Sequence, residues 1–476
     1  MELLAAVPAD RTAELSWWQH DARSSVGIPV QRSLRGTLTA DVAIVGGGFT
    51  GLWTALTLKE RQPELNIVLL DSYRCGDGAS SRNGGNVHGY WGALPTLISI
   101  FGADKSIEAA RLGTLAQAKL REFAIGKGRD VWWVEEGYLR VATSATQVKK
   151  IKEFLDVADD LSVQTTVQRL NTSAIRELCG SPRFVEGLLF NEGATVHPAR
   201  LAHALRQAVI DAGVQVFEQS PVLQVTNGSP CKVTTAQGQI IARDVVLATY
   251  TGTMALPSVA KATTLFSSFP VMSAADPEYL EKINYTVARG LADLRMFTHY
   301  FRRTRDGRIL MGSGSGPLEF GSRHGSEKLR RDAASVKRAE IGLRRFFPGM
   351  RGGVATKWGF PIEVTSDRLP YFGTMPNSRI HFGSGYSGHG VNATVIAGEC
   401  LSSLILNKRD QWTSSPFCNR ERMNFPMEPF RFVGGTVVRD AIVRCEDAED
   451  AGFNPPLLSQ AISNLPRMMG MRVGTR

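Results

Sequence analysis

One stretch constrains this chain more than any other: Asp41-Val-Ala-Ile-Val-Gly46-Gly-Gly48-Phe-Thr-Gly51, with Leu52 to Glu60 and then Ile67 to Asp71 behind it. Val42 to Val45 form a short apolar run rich in β-branched residues, as a buried parallel strand requires. Gly46, Gly48 and Gly51 give G-x-G-x-x-G. In that pattern the first glycine allows a tight turn, the second lets a pyrophosphate approach the backbone, and the third lets a helix pack closely on the strand. Leu52 to Glu60 read as that helix, whose N-terminal N–H groups, with Phe49 and Thr50 at its start, face the phosphates. Ile67 to Leu70 read as a second buried strand ending in Asp71, with Ser72 beside it. An acid about 20 residues beyond the last glycine suits a ribose hydroxyl pair. The glycines alone say little. Strand, glycines, helix, second strand and terminal acid in register specify a dinucleotide-binding α/β domain.

This much fits NAD or FAD. Gly76-Asp-Gly78-Ala79-Ser80-Ser81-Arg82-Asn83-Gly84-Gly85 adds a second loop of small residues directly after the acid. It brings more backbone N–H groups and hydroxyls to the pyrophosphate and lets a flat ring lie against bare backbone. A C-terminal block repeats the logic. Ile380 to Gly383 read as a strand, Gly385-Tyr-Ser387-Gly388-His389-Gly390 as a glycine-rich turn, and Val391 to Leu406 as a long helix with an anion-seeking N-terminus.

The segment G-A-S-x-R-N-G-G, from Gly78 to Gly85, resembles the FAD-dependent D-amino-acid oxidase/glycine oxidase superfamily, and within it the gamma-glutamylputrescine oxidase-like branch. The resemblance spans residues 30 to 410. It implies that Val222 meets the adenine, that Ala248 and Thr249 pass the pyrophosphate, and that Asp367-Arg-Leu-Pro370 through Gly390 points the last helix at the flavin. On that basis the fold is α/β: a Rossmann-like, glutathione-reductase-like FAD domain with a parallel sheet, beside an antiparallel-sheet α+β substrate domain. The boundaries expected are an arm over 1–39, a discontinuous FAD domain over 40–92, 192–262 and 350–410, a substrate domain over 93–191 and 263–349, and an extension over 411–476.

The chemistry implied is oxidation of an amine C–N bond, with oxygen or another acceptor taking the electrons. A NAD-dependent dehydrogenase would need neither the R-N-G-G loop nor the C-terminal block. A flavin hydroxylase would show a different loop, and a non-catalytic flavin binder would lack an amine pocket. The resemblance puts His389 at the flavin, as a functional group or as a turn residue. Tyr300 and Arg302, on a strand over Met296 to Arg303, are candidates for the substrate side, with His88, Tyr90 and Trp91. FAD is expected to be non-covalent: relatives attach it through a Cys ahead of the C-terminal motif or a His in the first glycine loop, and residues 355–367 hold no Cys and 76–85 no His. Sarcosine oxidase-like relatives place an oxygen-activating Lys on the antiparallel sheet, where this chain has Leu310. Glycine oxidase-like relatives clamp an α-carboxylate with an Arg just before D-x-x-P, and Gly359 to Asp367 hold none. A primary or secondary amine, with a distal acid drawn by the basic charge and Arg302, is therefore expected over a small free amino acid.

Composition supplies the remaining bounds. At 476 residues, 43% hydrophobic and 21% charged, the chain can bury two or three substantial cores. The net charge of +10 is spread without a basic tract, so nucleic-acid binding is not expected. The six cysteines show no C-x-x-C spacing, which argues against a metal site or disulfide framework and for a reducing compartment. Met1 to Asp10 lack the features of a signal peptide, and no apolar run approaches a membrane span, so a cytoplasmic location is expected. Trp17, Trp18 and His20 read as anchors of the arm on the body, with partner binding as the other reading. Further strands are expected at Val131 to Val134, Gly137 to Ala142, Phe266 to Ser273 and Arg308 to Gly314. Helices are expected at 104–125, 145–160, 172–179, 199–212 and 326–346. His197 and His203 are expected to serve packing.

Overall fold

The computed structural model describes residues 15–25, 29–323 and 325–471, so the Met1–Asp10 stretch lies outside the described residues. Gly36–Val45 is the central strand of an eight-stranded sheet. It pairs in parallel with Ile67–Leu70 on one side and Gly238–Leu247 on the other. Gln215–Phe217 and Ile380–Ser384 extend the parallel array, and Tyr371–Thr374 closes one edge antiparallel. Val42 to Val45 and all of Ile67–Leu70 are buried, as strands covered on both faces must be.

The Phe49–Arg61 and Gly390–Ile405 helices pack on this sheet and on each other. Their approach is close because a side chain at Gly398 would press on the Trp53 backbone. The Leu94–Phe101 and Ala103–Ala124 helices join the same core, and Asn392 donates to the Gly113 carbonyl at 2.9 Å. These two helices, expected in the substrate domain, thus share the nucleotide-side core.

A second eight-stranded sheet is mostly antiparallel. Its order is Val354–Lys357, Val271–Ser273, Ile309–Ser313, His299–Arg303, Gly290–Asp293, Tyr138–Ala142, Glu186–Phe190, Val167–Asn171. Val354–Lys357 pairs here with Val271–Ser273, and Phe360–Thr365 pairs with Thr263–Ser268. Both lie inside the range expected for the FAD domain. The run from Phe266 to Ser273 is two strands, split at Phe269-Pro270, since proline cannot donate to a ladder. Val131 to Val134 form no strand: Trp132 has a positive φ of 56°, and only Val134 bridges to Thr195. The helix expected over 326–346 starts at Ala333, where Asp332 caps it by accepting from the Ser335 N–H at 2.9 Å. The Ala145–Asp160, Thr172–Leu178 and Pro198–Asp211 helices follow the sequence pattern.

Trp18 is fully buried on the body beside Trp132 and His197. Two helices, Phe430–Asp450 and Leu457–Met468, pack on each other at the C-terminal side. Among the described residues no helix is long and apolar enough to cross a membrane.

Candidate active site

Where the central strand ends, the chain turns at Gly46 with φ 109°, a conformation that disfavours any side chain. A Cβ at Gly51 would overlap the Gly46 carbonyl, so that glycine serves the strand–helix contact and does not face the cavity. Gly48 differs. Its backbone is extended (φ −78°), and the nearest atom to an added Cβ is the Ser80 hydroxyl at 3.1 Å. A side chain there would ask only the Ser80 hydroxyl to give by a few tenths of an ångström; the space beside Gly48 belongs to a cavity of about 330 Å³.

That cavity joins the three glycine-rich segments. Gly46, Gly48, Phe49 and Thr50 line it, as do Asp71 and Ser72, and Gly78, Ala79, Ser80, Asn83 and Gly84 of the second loop. Val222, Ala248 and Thr249 contribute, and so do Gly388, Gly390 and Val391. The Phe49–Arg61 and Gly390–Ile405 helices both start here with no cap from their own N-cap side chain, and the Ser80 hydroxyl accepts the Phe49 N–H at 2.9 Å. Their first-turn N–H groups have no intrahelical acceptor, so two positive helix ends open onto one space. Asp71 is the only Asp, Glu, Lys, Arg or His among the described lining residues. Its carboxylate accepts from the N–H groups of Gly47 and Tyr73, each at 2.8 Å. Desolvation by the enclosing protein nevertheless pushes its pKa up to about 6.

Several lining polar groups lack a protein partner. Both polar atoms of the buried Asn86 amide and the Thr249 hydroxyl oxygen are buried without a hydrogen bond among the described residues. Such orphans fit a polar ligand that completes them. The cavity's other wall comes from the antiparallel side: Tyr300, Ser268, Phe360 and Ile362. The Tyr300 and Ser268 hydroxyls lie 2.9 Å apart, and the Tyr386 hydroxyl lies 2.6 Å from the Thr50 hydroxyl.

Six expected cofactor residues and Arg302 fall outside this lining. Gly51 is taken by the helix contact. Arg82 offers its carbonyl to the Trp358 indole N–H at 2.8 Å. Gly85 packs on Val196, whose N–H donates to the Gly85 carbonyl at 2.8 Å. Gly385 donates its N–H to Glu363 at 2.7 Å, and the buried Ser387 hydroxyl donates to the Gly385 carbonyl at 3.1 Å. The Arg302 guanidinium is buried, donating to the Val196 carbonyl at 2.6 Å and the Gly85 carbonyl at 3.2 Å. It is not among the lining of this cavity or of the one beside His389, and its hydrogen bonds to these two carbonyls give it a role in the fold. Leu310 is fully buried, 3.6 Å from where a Cβ on Gly84 would stand.

His389 lines a second cavity of about 180 Å³, while its neighbours Gly388 and Gly390 line the first. The turn that carries them is thus a partition. His88, Tyr90 and Trp91 line the second cavity too, and His88 packs between Tyr138 (4.7 Å) and His389 (5.5 Å). Sequence reasoning missed Glu363, Asn86, Tyr250 and Tyr386. Asn86 is one residue past the R-N-G-G loop, and Tyr386 is an unassigned position inside the C-terminal block. Glu363 gave no local signal. Fully buried, it accepts from the Ser384 hydroxyl at 2.8 Å and from the N–H groups of Gly385 and Tyr386, and so holds the partition turn. Burial pushes its pKa up to about 7.

Comparison with known proteins agrees with this geometry. A family profile described as FAD dependent oxidoreductase (DAO) matches residues 41–404. The chain is 29% identical over 410 residues to gamma-glutamylputrescine oxidoreductase of Escherichia coli (strain K12), covering 83% of this chain and 89% of that protein. It is 28% identical over 379 residues to the probable oxidoreductase OrdL of Haemophilus influenzae, covering 77% and 83%. The crystal structure of glycine oxidase from Geobacillus kaustophilus superposes with a TM-score of 0.67 at 21% identity, covering 81% of this chain and all of that one.

Proposed function

The chain belongs to the DAO family of FAD-dependent oxidoreductases, and from that premise we propose that it oxidises the C–N bond of a primary or secondary amine. The product is an imine, which water hydrolyses to a carbonyl compound and the released amine. The observation that carries this reading is the convergence of two helix N-termini on one cavity, with a separate, aromatic-lined cavity behind the turn at His389.

When bound, FAD would supply the electron sink for oxidation of the amine carbon, with oxygen, reduced to hydrogen peroxide, as the proposed final acceptor. The chain's residues do the rest. Asp71 would hold a ribose, the N–H groups after Gly48 and through the second glycine loop the phosphates, and Asn86 and Thr249 further polar edges. The first-turn N–H groups around Gly390 and Val391 would hold an anionic ring edge in place, as preorganised dipoles do. Phe360 and Ile362 keep water from that end of the cleft. The amine enters neutral, and His88 and His389 flank its route with imidazoles able to take up a proton. We propose that the cofactor is held without a covalent bond, since residues 355–367 hold no Cys and 76–85 no His.

The purified protein should be yellow, with a flavin spectrum, and acid precipitation should leave the colour in the supernatant. Anaerobic addition of an amine panel should bleach it; full colour with every amine would overturn the amine reading. Peroxide release in air, set against dye reduction under nitrogen, decides the acceptor.

A further inference from the structure

A chamber of about 860 Å³ lies beyond the cavity lined by His88 and His389, and the Leu457–Met468 helix forms part of its outer wall. Gln460, Ser463 and Arg467, at i, i+3 and i+7, line that chamber together with Asn464, so the helix turns its polar face toward the body. Of the helix's own residues only Ser459 and Pro466 are buried. Its apolar face points the other way. Leu458, Ala461, Leu465 and Met468 recur at spacings of 3, 4 and 3, and all four are exposed, Leu458 at 73% and Met468 at 80%. A helix of 12 residues is marginal by itself and is held by packing its apolar stripe. Here the described residues leave that stripe open.

The neighbouring helix repeats the arrangement. Within Phe430–Asp450, Phe430, Val433 and Val437 are exposed at i, i+3 and i+7. Gly470 returns the chain to Met423, whose Cε lies 3.0 Å from where a Gly470 Cβ would stand, so the two helices run antiparallel and their open stripes belong to one region. Eleven of the eighteen exposed large hydrophobic side chains among the described residues fall between Met423 and Met469. Scattered apolar side chains need no explanation, but such a concentration marks a contact surface. It amounts to on the order of 1,000 Å² of apolar surface, against roughly 800 Å² per partner covered in a stable interface.

Spacing and charge name the partner. A 3-4-3 stripe is the narrow seam by which one helix packs on another. Residues 451–471 hold no acid and one base, Arg467, which lines the chamber, so no like charges meet across the seam. Past Val437 the other stripe carries both signs. Asp440, paired with Arg439, and Asp447, paired with Arg338, flank Arg444, which is exposed and has no ion pair among the described residues. A stripe of both signs can face its own copy run in reverse, whereas its acids oppose an anionic bilayer.

We infer that the two C-terminal helices pair with those of a second copy of the chain across a two-fold axis, in a four-helix layer that covers the open stripes of both. The pairing also seats the chamber wall, since the helix that forms the seam lines the chamber with its opposite face.

The test uses the full-length holoenzyme. Sedimentation velocity at micromolar concentration should give twice the chain's mass. Leu458→Glu/Leu465→Glu and Leu458→Lys/Leu465→Lys should each sediment as monomers with flavin content unchanged, because both positions are exposed within one copy. An equimolar mixture of the two variants should restore the dimer, since the seam meets itself. A monomeric wild type overturns the pairing, and if it pellets with vesicles of phosphatidylglycerol and phosphatidylcholine, the stripes serve a bilayer instead. Dimers that persist in both variants, or a mixture that stays monomeric, overturn it equally. Should neither variant fold, Ala461→Cys, a small change at an exposed position, still decides. A short bismaleimide should link two copies of it beyond any linkage in wild type, and no added linkage sinks the pairing.

Discussion

The glycine-lined cleft and the chambers beyond His389 lie on either side of one turn and are made of different material. The cleft is built from backbone: glycines, helix ends and small hydroxyls, with Asp71 as its single strongly ionisable group among the described residues. The chambers are built from long side chains, among them Arg140, Arg368, Lys150 and Glu446, contributed by segments far apart in the chain. A backbone site depends on local conformation, so its requirements cluster within a few residues. A side-chain site depends on which strands and helices meet, and no short window of sequence records that.

The largest effect should come from Gly51→Val, because the new side chain would strike the Gly46 carbonyl. Overpacking against backbone costs on the order of several kcal/mol, and soluble expression should be lost. Gly48→Val should separate binding from folding. Its circular dichroism and melting should match those of flavin-free wild type, while bound flavin falls to near zero. A yellow Gly48→Val protein would break the contrast between backbone that serves the fold and backbone that serves the ligand.

Glu363→Ala comes next. It strands the Gly385 and Tyr386 N–H groups in the interior, each worth about 1–3 kcal/mol when unsatisfied. Chemical denaturation should show a loss of about 2–4 kcal/mol, with less for Glu363→Gln. The pH dependence has a definite sign. The folded pKa of about 7 stands above the ordinary 4.5, so the unfolded chain ionises first as pH rises. Glu363's contribution to stability is complete below pH 4.5 and is lost as pH rises through 7. Glu446, raised to about 7 by burial, adds the same trend from the chamber side. Glu363→Gln should flatten the curve in that window, and an unchanged slope would place the titration elsewhere.

Legibility followed the same division. The three glycine segments, their helices and Asp71 could be read because each is a local pattern with a fixed spacing. The second cavity could not: its lining gathers Tyr138 and Arg140 from one strand, Asp293 from another and His389 from the turn between the cavities. Arg302 misled because a cation on a substrate-side strand looks available, whereas the fold uses it to hold the Gly85 and Val196 carbonyls. Domain boundaries misled for a related reason. Ala103–Ala124 has the amphipathic pattern of any covering helix, and nothing local says that its partner is Gly390–Ile405.

The smallest expected effect sharpens the cleft side. Asp71→Asn keeps the shape but loses the charge-assisted bonds to the ribose, so FAD affinity should drop about tenfold, near 1.4 kcal/mol. With the empty-site pKa about 6, wild-type affinity should weaken as pH falls below 6, because protonation removes the acceptor that the hydroxyls need. Dialysis of flavin across pH 5–8 should show that slope in wild type and not in Asp71→Asn.

The Trp17–Ser25 helix, seated through Trp18, Gln19 and Ala22, adds an order of events to the molecule's making. The Ser16 hydroxyl donates to the Ser81 carbonyl in the second glycine loop, a span of 65 residues, and Asp21 accepts from Arg200, a span of 179. Synthesised early, this helix has no seat until the ribosome has delivered the segment around Arg200. Its contact at Ser81 then braces the second glycine loop from outside the cleft, so the loop's seat depends on a segment made before it and one made long after it.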